Sequence, residues 1–166
     1  MTELARIIST VFGVGYLRPA PGTWGSLAAL PMGWGLHVAG GFPLLVAGTI
    51  AVFLAGLWSI AVATRGADDH DPSEIVIDEV AGQFMALMPL SAAADRLGID
   101  ITALWPGWIA AFVLFRLFDI WKPGPVGWAE RHNDPVGVML DDVIAGALAA
   151  GGVLLLAWIA HGVLGA

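Results

Sequence analysis

Five carboxylates lie in or beside apolar stretches of this chain: Asp78, Glu79, Asp119, Asp141 and Asp142. Ionised carboxylates cannot crowd together in apolar surroundings without a cation. Hard divalent cations take oxygen ligands, and magnesium typically combines one or two carboxylates with water and phosphate oxygens. Two of the acidic pairs look alike. Ile77-Asp78-Glu79-Val80-Ala81-Gly82 and Leu140-Asp141-Asp142-Val143-Ile144-Ala145-Gly146 each run from an apolar residue through two acids and a valine to small residues. Small residues let helices approach closely, which would bring the two acidic ends together. Acids in a first helical turn also complement the helix dipole. That plainer reading suits one pair better than both pairs with Asp119 on one face.

A second set of residues suits an anion. In Arg18-Pro19-Ala20-Pro21-Gly22-Thr23-Trp24-Gly25-Ser26, Gly22 and Gly25 allow close backbone approach, and Thr23 and Ser26 offer hydroxyls. The first amides of a following helix would point at a bound phosphate. A Pro/Gly turn ending in a Ser26 N-cap is the alternative. Arg116 and Asp119 are spaced i and i+3 and can pair on one helix face. Lys122, one turn beyond Asp119, either snorkels to the interface or reaches a phosphate. His70, beside Asp71, could handle a proton near such a site. His37 and His161 have no acidic neighbours in sequence and read as packing or interfacial residues. His132 reads as solvated in the 130–134 loop, Asp68, Asp69 and Asp71 as a solvated loop, and Asp95, Arg96 and Asp100 as an exposed turn.

The elements that position these groups must be helices in a membrane. Of 166 residues, 58% are hydrophobic before 22 glycines are counted, and only 13% are charged. Soluble domains have roughly 45–50% apolar residues with glycine included. The mean hydropathy of +0.80 excludes disorder and an ordinary soluble enzyme. A net charge of −7 leaves no basic patch for nucleic acid. The lack of cysteine excludes a disulfide scaffold, a thiolate zinc site and a cysteine nucleophile. Arg6 and the apolar run after it meet Arg18-Pro19 without a small-x-small cleavage site, so the mature chain is expected to begin at or near Met1.

Charge-free runs predict an all-α, multi-pass transmembrane bundle in one domain, 1–166, with five hydrophobic segments: about 26–39, 42–64, 75–89, 101–121 and 138–164. The first and third are short for a crossing, and the first is a candidate for a re-entrant piece. Long unbroken runs do not suit β-barrel strands. If the segments alternate, Arg6, Arg18, Arg65, Arg116, Lys122 and Arg131 share one side with the acidic pairs, the side that the positive-inside rule assigns to the cytoplasm. Trp24, Trp121 and Trp128 near that interface, and Trp105 and Trp108 near the other, suit aromatic belts or bundle packing.

Four ordered blocks resemble the phosphatidylglycerophosphatase A family of bacterial membrane phosphatases. They are residues 18–26, residues 75–82, Phe115-Arg116-Leu117-Phe118-Asp119-Ile120-Trp121-Lys122-Pro123, and residues 137–146, within a resemblance covering about 13–150. The resemblance implies magnesium-dependent removal of the terminal phosphate of phosphatidylglycerophosphate, yielding phosphatidylglycerol and inorganic phosphate. It also implies a site on the cytoplasmic face of the inner membrane. On that reading Asp78, Glu79, Asp119, Asp141 and Asp142 bind one or two Mg²⁺, directly or through water. Arg18, Gly22, Thr23, Gly25, Ser26 and Lys122 hold the phosphate, and Arg116 orients Asp119 or joins that clamp. Asp78 or Glu79 acts as general base, or an aspartate serves as nucleophile, and Asp119 and Asp142 complete the catalytic set. The competing class is a small cation channel or transporter with an acidic site. It requires polar residues continuing across the membrane, whereas these stop at one interface. A non-catalytic assembly subunit would leave the clustered acids unexplained.

Overall fold

Gly40 and Gly41 break the longest apolar run in two, and the rest of the bundle follows from that break. Gly41 has φ 66° and ψ −159°, a left-handed conformation open to glycine at little cost. A Cβ at Gly41 would also lie 2.5 Å from Asp95 Oδ2. The computed structural model describes residues 2–66, 72–132 and 134–162, and among them every regular element is helical. Helix α1 (Thr2–Ser9) and a 3-10 turn precede α2 (Pro21–Ala63), which Gly40 and Gly41 divide into two arms. Then come α3 (Ile77–Leu97), a 3-10 turn at Ile101–Leu104, α4 (Trp105–Trp121), the short α5 (Pro125–Glu130) and α6 (Pro135–Gly162).

The first arm of α2 starts five residues before the expected segment. Pro21 occupies its first turn, where a missing N–H costs nothing and a fixed φ helps, so Pro21 to Gly25 is helix and not a turn. Ser26 is therefore not an N-cap. Residues 21–39 rise about 28 Å at 1.5 Å per residue, close to the hydrocarbon thickness. The third segment also lengthens: α3 runs on past Pro89 to Leu97, 21 residues in all.

The far end of the molecule pins this kink. The Phe42 amide, the first of the second arm, donates to Asp95 Oδ2 at 2.7 Å. His37 Nδ1 and Ser91 Oγ lie 2.8 Å apart. His37 and Asp95 thus tie α2 to α3 and are not simple packing and exposed-turn residues. Asp100 accepts the Thr102 amide at 2.7 Å and caps the following turn.

Helix α3 is the central element and packs against α2, α4 and α6. The core around it includes Phe84, Leu87, Leu45, Ile60, Phe115 and Met139. The long apolar helices are around it: Pro21–Ala63, Ile101–Trp121 and Pro135–Gly162 each have a stretch long and apolar enough to cross a membrane. They expose Ile50, Leu54, Ile109, Val113, Leu154 and Leu155, as lipid-facing walls do. Trp24, Trp121 and Trp128 are exposed at the polar end and Trp105 at the other. Trp108 instead donates its indole N–H to the Ile101 carbonyl at 3.0 Å.

Close crossings are made at glycines. A Cβ on Gly82 would lie 2.6 Å from the Asp142 carbonyl and 2.5 Å from the Phe115 ring. One on Gly146 would collide with the Gly82 carbonyl. Gly82→Ala should therefore lower the thermal midpoint in detergent by several degrees, for about 1–3 kcal/mol of overpacking. Gly151→Ala, with nothing within 4 Å, should leave it unchanged. Equal midpoints for the two variants would contradict the close α3–α6 crossing.

Candidate active site

The α3–α6 crossing determines where the acids go. Asp78 precedes Gly82 by one helical turn and Asp142 precedes Gly146 by one turn, so each acid stands one turn above the same contact. Carboxylate oxygens of Asp78, Glu79 and Asp142 lie within 4.8 Å of one another. Asp78 is 6% and Asp142 3% exposed, and the Glu79 side chain 13%. Two charged carboxylates 4.8 Å apart repel by about 3–4 kcal/mol at an effective dielectric near 20.

Among the described residues, Arg116 lies beside this group. Its guanidinium pairs with Asp119 on the same helix, and Nη1 lies 3.8 Å from Glu79 Oε1 and 3.5 Å from Ser26 Oγ. The guanidinium therefore bridges toward Glu79 of the trio from Asp119 on its own helix. Asp142 Oδ2 and Glu79 Oε2 are buried with no protein hydrogen-bond partner. An all-carboxylate donor set with unbonded buried oxygens fits a hard divalent cation.

Other expected residues are placed differently. Asp141 stands apart from the trio and accepts from Lys122 Nζ at 3.0 Å. Lys122 also lies 2.9 Å from Glu130. Burial pulls the Lys122 ammonium down, but the Glu130 hydrogen bond and the Asp141 charge outweigh it, so its pKa is raised. Lys122 is thus held between two carboxylates at the end of α4. Glu130, its second partner, drew no attention in the sequence because α5 is too short to carry a pattern.

The start of α2 closes one side of the site. A Cβ on Gly22 would collide with Glu79 Oε1 and sit 3.1 Å from Arg116 Nη1, so glycine here is what admits both groups. Gly25 serves helix packing: its Cβ would lie 2.8 Å from Val76 Cβ. Ser26 Oγ donates to the Gly22 carbonyl at 2.8 Å, and Thr23 is half-buried on the first turn. Arg18 is exposed and donates to Ser73 Oγ at 3.4 Å. His132 is exposed and edges onto the Trp128 ring, and exposed His161 lies against its own helix. Asp68, Asp69, His70 and Asp71 lie outside the described residues.

Apolar helices long enough to cross a membrane, with a buried carboxylate trio beside an arginine at one end, define a helical membrane protein with a buried acidic site. Residues 7–157 match the family model of phosphatidylglycerophosphatase A. The chain belongs to that family of phosphatases. The phosphatidylglycerophosphatase A of Haemophilus influenzae is 38% identical over 140 residues, 84% of this chain and 80% of that one. The enzyme of the same name from Escherichia coli is 34% identical over 153 residues, 91% and 82% of the two chains. A Bacteroides thetaiotaomicron protein, provisionally described as a phosphatidylinositol-3-phosphatase, is 39% identical over 145 residues, 84% and 85%. No solved structure matches the chain significantly.

The trio makes a thermal-shift prediction. Asp142→Asn should unfold at the same or a higher temperature than the parent without divalent ions, because it removes a repelling charge. Millimolar Mg²⁺ should raise the parent's midpoint and fail to raise the variant's. A full Mg²⁺-induced rise in Asp142→Asn would contradict a cation held by this trio.

Proposed function

We propose that this protein is a Mg²⁺-dependent phosphatidylglycerophosphate phosphatase of the bacterial inner membrane, its site facing the cytoplasm. The observation that carries the reading is the buried Asp78–Glu79–Asp142 trio beside Arg116, at the end of a bundle whose outer walls are apolar. The family to which the chain belongs supports the substrate. The six basic residues grouped at that end support the orientation.

Asp78, Glu79 and Asp142 would hold the cation, with Asp119 and Asp141 secured by Arg116 and Lys122 at its border. Bound Mg²⁺ would supply neutralisation of the phosphate and polarisation of its oxygens. Arg116, oriented by Asp119, presents its remaining N–H groups to the phosphate oxygens. Glu79 accepts the proton of the attacking water. The water oxygen forms a bond to phosphorus, the bond from phosphorus to the glycerol oxygen breaks, and that oxygen leaves with the proton that Glu79 took up. The acyl chains stay in lipid against the outer walls, while Trp24 and Trp121 stand at the rim.

The transporter reading is disfavoured by the interior. Phe84, Leu87 and Phe115 fill it below the acids, which is no lining for an ion path. The provisional description of the Bacteroides relative makes phosphatidylinositol 3-phosphate the appropriate competitor substrate.

Purified protein in mixed micelles should release phosphate from phosphatidylglycerophosphate at least about tenfold faster than from phosphatidylinositol 3-phosphate, in Mg²⁺ and not in EDTA. Asp78→Asn should fold and lose on the order of a hundredfold or more in rate. No release by the parent would overturn the function, and full activity in Asp78→Asn would overturn the role of the trio. Trapping of a phospho-aspartyl enzyme would refute direct attack by water.

A further inference from the structure

Gln83 is completely buried on α3, and neither its Oε1 nor its Nε2 hydrogen-bonds another protein group. A primary amide brings two donors and an acceptor, and burying them unmatched is costly compared with leucine or methionine at the same place. Its position on the helix is informative. Glu79, Gln83 and Leu87 follow helical spacing along one strip of α3, and the outer two face glycines of α2, Gly22 and Gly33 respectively. Gln83 therefore sits one turn inward from Glu79, at the depth of Ser26 and Ala29, which are themselves completely buried.

Two more bare atoms belong to the same neighbourhood. Glu79 Oε2 and Arg116 Nε are buried without hydrogen-bond partners, on side chains whose other atoms lie 3.8 Å apart. One is an acceptor and the other a donor. Together with the amide they offer what a buried water requires, two to four polar partners of both kinds. A carboxylate, a guanidinium edge and an amide, all unmatched within about one turn, are difficult to explain as separate accidents of packing.

We propose that Gln83 is a positioning residue, holding buried water between its amide and the Glu79–Arg116 pair and so keeping both side chains in their working orientation. The inference rests on the reading of Glu79 and Arg116 as reacting-site groups. The amide itself lies below the site and does not touch substrate. Water accepts from Arg116 Nε and from the Gln83 amide N–H, and donates to Glu79 Oε2.

The test uses Gln83→Leu and Gln83→Met, two near-isosteric changes, so that a folding failure of one leaves the other. Both should keep the parent's thermal midpoint or raise it. Their kcat should fall about 10- to 100-fold, as when partners that orient a site's ligands are removed, while KM changes less than twofold. Unchanged kcat in a folded variant would overturn the proposal, as would a lowered midpoint with kcat and KM unmoved. A second readout is independent of activity. A high-resolution structure of the parent should show ordered water within hydrogen-bond distance of Gln83 and Glu79 Oε2, and a dry contact there would overturn it. A parent inactive on every lipid phosphate would defeat the proposed function instead, and the water density would then decide the placement of Gln83 by itself.

Discussion

The approach of α3 to α6 at Gly82 and Gly146 is the constraint on which the site depends. Each glycine is followed back, one turn earlier, by an acid, so backbone contact at the crossing forces Asp78 and Asp142 together. No folding force favours bringing carboxylates into that position. The crossing does it because hydrophobic packing of Phe84, Leu87, Phe115 and Met139 outweighs the repulsion. A cation placed there would relieve the crowding of the three carboxylates.

The basic residues divide the acids into two kinds. Lys122 takes Asp141 together with Glu130, and Arg116 takes Asp119. These pairs join α4 to α5 and α6 and orient the guanidinium. What remains is a trio that lies beside Arg116, whose guanidinium edge is 3.8 Å from Glu79. Gly22 matters for the same reason: a side chain there would occupy the place where Glu79 and Arg116 meet. The opposite end has a different task. His37 with Ser91, and Asp95 with the Phe42 amide, hold the two arms of α2 against α3 and keep the parallel start of the helices in register.

Much of this was legible in the residues, for identifiable reasons. Charge-free runs locate membrane helices because the bilayer leaves few other choices for them. The acid-acid-Val-small quasi-repeat signalled a close crossing because small residues and acids serve one geometry. The i, i+3 spacing of Arg116 and Asp119 survives into the structure because it is local to one helix. Long-range pairings were not legible. Asp141 counted with the trio in sequence, yet Lys122 holds it from another helix. His37 and Ser91 are 54 residues apart, and nothing local marks them as partners. Pro21 and Gly22 looked like a turn because proline and glycine commonly make one, whereas proline in a first helical turn is equally natural. Gln83 carried no signal at all, since a lone glutamine in an apolar run stands out only when its amide is found buried.

The central claim is that Asp78, Glu79 and Asp142 form one hard-cation site. The most direct test is crystallography of the protein grown with Mn²⁺ in place of Mg²⁺, read from the anomalous signal. The account predicts a peak within oxygen-ligand distance of all three carboxylates. No peak there, or a peak at the Asp141–Lys122 border instead, would contradict it.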